Sequence, residues 1–153
     1  MYDLKNLQEC SEDVLEYIQT NKEKAPQYMK RYDEYKLDQE VAIKLSCHKD
    51  KYTIIAFSAE WCPDCYRNIP VLAHIQEKTG LKTRVFGHLM RDAKSSTRLW
   101  ACPPSPIQVE EFKVVKIPHM FILNNNGEIE GEIIEDPPQG KTLERAVLDI
   151  LES

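Results

Sequence analysis

Long apolar runs are missing from this sequence. No stretch approaches the ~20 residues a membrane-spanning helix needs, so no membrane partner is expected. The opening, Met1-Tyr2-Asp3-Leu4-Lys5, has neither a basic n-region nor an apolar h-region, and a secretory signal is not expected. Cysteine is scarce and odd in number at 5, without the even framework of a secreted disulfide scaffold. These absences together suggest a cytoplasmic protein whose thiols outside any motif rest reduced. No basic cluster is dense enough to suggest nucleic acid. No Gly/Ser linker divides the chain, and 153 residues suit one domain with its own core.

What is present is ordinary for a globular chain: 42% hydrophobic and 29% charged residues. The net charge of −5 is unevenly spread. Residues 1–50 hold 8 Lys/Arg against 11 Asp/Glu, residues 51–105 hold 8 against 4, and residues 106–153 hold 4 against 10. The middle third is therefore basic, through Lys51, Arg67, Arg84, Arg91, Lys94 and Arg98. Solvated surface charge is the simpler account of this bias than a steering patch.

The most informative stretch begins as an apolar run, Tyr52 to Phe57, with the look of a buried strand. It continues into Ile69, Leu72, Ala73 and Ile75 at helical spacing, and Gly80 closes a helix predicted over 63–79. Between strand and helix lie Cys62 and Cys65. At a helix N-terminus, unpaired N–H groups and the dipole favour a thiolate at Cys62, and Pro63 suits the first helical position. Cys65 is near enough to close a small disulfide ring. By itself the C-x-x-C spacing is also half of a zinc site, or two cysteines buried by accident. A second C-x-x-C or an H-x3-5-H is absent, and no metal is expected.

The context resembles the thioredoxin family. Ala59-Glu60-Trp61-Cys62-x-x-Cys65 is followed by Pro70, and Val115-Lys116-Ile117-Pro118 precedes a strand-turn-strand pattern through Asn124-Asn125-Asn126-Gly127. The resemblance covers roughly residues 40 to 152. It implies an α/β thioredoxin-like fold with a central mixed sheet flanked by helices, here with extra N-terminal helices (residues 1–37 as an extension, 38–152 as the core, with an insertion near 92–113). It implies a disulfide reductase with Cys62 as nucleophile and Cys65 as resolving thiol. Trp61, Pro63, Asp64, Ile117, Pro118 and His119 would form the substrate surface, with Pro118 cis. The expected partners are disulfide-containing proteins and an electron donor such as a thioredoxin reductase, with no cofactor. A binding module that keeps the pair without using it is the alternative.

Three departures from the family stand out. The buried aspartate six residues before the nucleophile is replaced by Ala56, its lysine partner by His88, and the small residue after the cis-proline by His119. In the alternation of a strand over 82–90, His88 shares a face with Arg84, Phe86 and Met90. That makes His88 the candidate proton acceptor for Cys65, with His119 as its rival and a half-exposed strand histidine without a role as the simpler account. Cys10, Cys47 and Cys102, which lack partners at motif spacing, are expected to be spectators, each more often a small buried hydrophobe.

The rest of the chain reads as helices. Ser11 is a candidate N-cap for a helix over 9–23, Pro26 opens a second with Tyr28, Tyr32 and Tyr35 on one side, and Asp38 caps a third. Residues 93–101 have helical character until Pro103, Pro104 and Pro106 stop it. Lys141 to Glu152 reads as a closing amphipathic helix.

Overall fold

The structure, a computed structural model, describes residues 1–90 and 106–153. The sequence expectations for a helix over 93–101, for Cys102, for Arg91, Lys94 and Arg98, and for most of the 92–113 insertion fall outside the described residues. The elements are α1 (Leu4–Cys10), β1 (Glu12–Asp13), α2 (Val14–Thr20), α3 (Pro26–Glu34), α4 (Gln39–Ser46), β2 (Tyr52–Phe57), α5 (Pro63–Thr79), β3 (Thr83–Phe86), α6 (Gln108–Glu111), β4 (His119–Asn124), β5 (Ile129–Ile134) and α7 (Leu143–Leu151).

The strands form one mixed sheet in the order β1-β3-β2-β4-β5. Strand β2 lies at its centre, parallel to β3 and antiparallel to β4. Its residues Ile54, Ile55, Ala56 and Phe57 are all buried, which is why the run does not alternate: helices or loops cover both faces. The α5 crossover is what allows β2 and β3 to run parallel. Each large side chain sunk into this core contributes roughly 1.5–3 kcal/mol of burial free energy. The α/β architecture expected from the motifs, a central mixed sheet flanked by helices, is thus present, with helices added before it.

Helix α5 starts and stops where its local chemistry says it should. Cys62 is the N-cap residue, Pro63 opens the first turn, and Gly80 ends the helix at φ +81°, a left-handed conformation glycine adopts without steric cost. The hairpin turns at Gly127, also at positive φ; a Cβ there would lie 1.9 Å from the Tyr2 carbonyl oxygen. That close approach seats the N-terminus: Tyr2 N–H donates to Gly127 O at 2.8 Å, and the Tyr2 ring stacks on Phe112 with centroids 4.1 Å apart.

The N-terminal helix expected over 9–23 is broken in two. Ser11 is not an N-cap: its hydroxyl donates to Leu7 O at 2.6 Å and accepts from Arg84 Nε at 3.0 Å. Glu12 and Asp13 extend instead and pair with Val85 and Arg84 of β3. Asp13 then caps α2, accepting from Leu15 N–H at 3.0 Å. Helices α3 and α4 begin at Pro26 and after Asp38, as their sequence signals say. Helices α2, α3 and α4 pack against α5. The tyrosines of α3 part company: Tyr28 points into the core, Tyr32 stacks on His74, and Tyr35, just past the helix end, donates to Glu144 at 2.6 Å.

Candidate functional site

Strand β2 ends at Phe57, and the chain crosses Ser58-Ala59-Glu60-Trp61 to reach Cys62 at the mouth of α5. Cys62 is only 6% exposed, and Cys65, one turn along, is fully buried; both are free thiols. The Cys62 sulfur lies 3.7 Å from the carbonyl oxygen of Ile117, to which the thiol donates. The Ile117–Pro118 peptide is cis, and the Cys62 contact sets Ile117 O, in the loop before β4, against the helix start. Trp61 stands half out of the surface at 50% exposure, anchored by its indole N–H donating to Leu89 O at 3.1 Å.

The two sulfurs differ in their proton affinity for physical reasons. The Cys62 thiol is pulled down to about 7, first by the hydrogen bond Cys65 offers its thiolate and then by backbone N–H groups of residues 65 and 64. Burial and the Asp64 carboxylate work against this. The Cys65 thiol is pushed well up, chiefly by burial and then by its neighbour Cys62. Near neutral pH Cys62 is therefore the thiol that ionises first, and Cys65 is the hydrogen-bond donor to its thiolate.

Asp64 is tied to Arg67 one turn on, and Arg67 also reaches Asp136 at 3.0 Å. Asn68 joins them, donating to Glu135 O at 3.0 Å and Asp136 Oδ1 at 2.9 Å. This clasp fastens the first turns of α5 to the loop after β5, a link the sequence spacing does not announce.

The two histidines do not sit as the strand alternation suggests. Strand β3 stops at Phe86, and His88 has φ +64°, so it shares no strand face with Arg84 and Phe86. Its ring is 45% exposed and its Nδ1 lies 2.5 Å from Glu60 Oε1, while its backbone N–H donates to Glu60 Oε2 at 3.0 Å. His119 is on β4 but only 3% exposed, stacked on Phe121 with Nε2 3.0 Å from Glu132 Oε2. Its ring is therefore packed in the core against Glu132 of β5. Cys10 and Cys47 are exposed, not the buried hydrophobes expected of single cysteines.

A polar cluster that the motifs did not indicate lies behind Cys65. Tyr17 from α2, Tyr28 from α3 and Ser58 at the end of β2 are all buried and meet there. Tyr28 Oη is 3.0 Å from both Tyr17 Oη and Ser58 Oγ, and Tyr17 donates to Glu60 Oε2 at 2.6 Å. Ser58 lies next to the Cys65 sulfur, and a hydrogen bond donated by its hydroxyl favours the Cys65 thiolate against the larger effect of burial. No spacing in the sequence links residues 17, 28 and 58; only the meeting of three elements does.

Among the described residues, no group of three or more His, Cys, Asp or Glu side chains could hold a metal ion, and no helix is long and apolar enough to cross a membrane. The family described as thioredoxin matches residues 11–148. Among solved structures, a protein of unknown function from Pseudomonas aeruginosa is similar over 99% of this chain and 98% of its own, with a TM-score of 0.66 and 19% identity. An HIV epitope scaffold is similar over 99% of this chain and 98% of its own, with a TM-score of 0.67 and 16% identity. At these identities the likeness concerns the fold. Comparison with curated protein sequences returns no match.

Proposed function

This chain belongs to the thioredoxin family, and from that premise we propose that it is a thiol–disulfide oxidoreductase that reduces disulfides of proteins or small molecules. The observation that carries the reading is the placement and split of the two thiols: Cys62 sits at the N-cap of α5 against Ile117 O, and Cys65 is fully buried behind it. One is held down to about 7 at a helix N-cap, and the other is held up as its donor in the wall behind.

The chemistry follows from that split. The Cys62 thiolate attacks a substrate disulfide; a Cys62–substrate S–S bond forms, and the substrate's own S–S bond breaks to release one thiolate. Cys65 then loses its proton and attacks Cys62, forming the Cys62–Cys65 disulfide and expelling the second substrate thiolate. The substrate gains two electrons and the pair loses two. An external dithiol, such as the one a thioredoxin reductase offers its partner, resets the pair. A cytoplasmic setting with reduced thiols suits this direction. Trp61 supplies an exposed apolar shelf beside the sulfurs, with Pro63, Asp64, Ile117 and Pro118 around it, while the His119 ring stays buried on Phe121.

Insulin reduction driven by dithiothreitol tests the reading. Turnover above the dithiothreitol background is expected from the parent and none from Cys62→Ser. A parent no better than background would leave a binding module. With active parent protein, Cys65→Ser should accumulate mixed disulfides whose partners mass spectrometry can identify.

A further inference from the structure

The resolving step needs Cys65 to lose a proton inside a wall shut off from water. The position six residues before Cys62 is Ala56, buried in the middle of β2 with no acid to offer. The buried hydroxyl cluster occupies the space behind Cys65 instead, and it leads outward.

We propose that Ser58, Tyr28, Tyr17 and Glu60 form the proton exit of Cys65, carrying its proton to Glu60 and His88 at the surface when Cys65 attacks the mixed disulfide. This rests on the two-cysteine reading above. Ser58 touches the reacting sulfur and is the catalytic residue of the four; the others act through it. Each hydroxyl has one hydrogen. Tyr17 spends its own on Glu60 Oε2 at 2.6 Å, which orients the rest. Ser58 Oγ lies beside the Cys65 sulfur and 3.0 Å from Tyr28 Oη, which is 3.0 Å from Tyr17 Oη and also donates to Ala59 O at 3.2 Å. In the relay Cys65 S–H turns to Ser58 Oγ, Ser58 O–H to Tyr28 Oη, and Tyr28 O–H from Ala59 O to Tyr17 Oη. Tyr17 Oη also lies 3.3 Å from Ser58 Oγ, a second and shorter path.

One concerted shift moves each hydrogen one place along. Cys65 becomes a thiolate, every hydroxyl stays neutral, and Glu60 gains one proton. The proton arrives on Glu60 Oε2; once the carboxyl has exchanged it to Oε1, which lies 2.5 Å from Nδ1 of the half-exposed His88 ring, it passes to that ring and thence to water. The tyrosines are suited to conduct and not to store: burial pushes both far above their ordinary range, so neither persists as an anion. The passage is built into the packing. A Cβ at Gly87 would lie 2.4 Å from the Tyr17 ring and 3.3 Å from Glu60 Oε2, so glycine there leaves room for both. The inference also gives the added helices α2 and α3 a task, since each contributes one tyrosine.

Dithiobis-nitrobenzoate reads the two sulfur steps in one trace. Attack by Cys62 releases a first nitrothiobenzoate, and attack by Cys65 on the resulting mixed disulfide releases a second. The background is protein with Cys10, Cys47 and Cys102 replaced by serine. Between pH 6 and 8, Ser58→Ala, Tyr17→Phe and Glu60→Gln should each slow the second release relative to the first by about tenfold or more and displace its pH profile upward. Equal slowing of both releases would mean a packing defect and overturn the relay. So would an unaltered second release in Tyr17→Phe and Glu60→Gln. A parent that releases only one equivalent would overturn the two-cysteine reading itself, and the relay with it.

Discussion

Arg67 holds Asp64, the residue between the two cysteines, and at the same time grips Asp136 at 3.0 Å. The Asp64 carboxylate by itself opposes a thiolate at Cys62. Arg67 places a compensating positive charge one turn away. The pair is half-exposed and screened by solvent, so its influence is modest. Arg67→Met should slow alkylation of Cys62 at pH 6.5 by about twofold, and Asp64→Asn should speed it by a similar factor. Iodoacetamide kinetics across pH check both signs; rates that move the opposite way in either variant would refute the assignment of charge to these two residues.

The hydrogen bond from Cys65 is the largest influence lowering Cys62. Removing the donor in Cys65→Ala should therefore raise the midpoint of Cys62 alkylation above about 7, toward the ordinary thiol value of 9.0. The sign follows because the bond is made to the thiolate, so its loss favours the protonated form. Cys65→Ser keeps a donor and should lie between parent and alanine variant. In the parent, Cys62 should react well before Cys65, whose proton burial holds in place. Peptide mapping after a short pulse of reagent at neutral pH shows which thiol is labelled first.

Legibility followed the range of the forces involved. The ends of α5 were readable because their causes are local: Pro63 in the first turn and Gly80 in the left-handed cap lie within the segment they bound. The break after α1 was not. Ser11 and Asp13 are both good caps, and the choice between them is made by β3, some 70 residues away, when Arg84 and Val85 pair with residues 13 and 12. His88 was misplaced for a similar reason. The alternation over 82–90 continues in the sequence, but Glu60 captures both the backbone and the ring of His88 and turns it off the strand. Both cysteines and the Ile117–Pro118 loop could be named from motif and resemblance. Tyr17, Tyr28, Ser58 and Glu60 could not be grouped, since nothing but folding brings them together.

Glu144 on α7 is fully buried, and its two oxygens accept from Tyr35 Oη at 2.6 Å and Asp38 N–H at 3.0 Å. A buried carboxylate is stable only while such donors satisfy it. Tyr35→Phe removes one and leaves the shape intact. It should destabilise the fold by about 1–3 kcal/mol, the usual cost of leaving a buried acceptor without its donor. Urea denaturation should show a lower midpoint at unchanged slope. A midpoint within error of the parent would mean that water replaces the tyrosine there.

His119 sets the last expectation, a dependence of stability on pH. Burial lowers its pKa below the ordinary 6.5, and the hydrogen bond and charge of Glu132 only partly offset this. Stacked on Phe121 and 3% exposed, the ring is folded in its neutral form, while in the unfolded chain it titrates normally. The unfolded state thus binds the extra proton first as pH falls. Stability contributed by the neutral ring is complete above 6.5 and drains away as pH drops from there toward the lowered folded value. His119→Phe keeps an aromatic ring on Phe121 and removes the titration. Urea midpoints measured from pH 7.5 down to pH 5 should fall more steeply for the parent than for His119→Phe. Equal slopes would show that Glu132 holds the charged ring as well as the core holds the neutral one. A neutral His119 at pH 7 also lends no positive charge to the neighbouring site, so the Cys62 alkylation midpoint should be nearly the same in His119→Phe as in the parent.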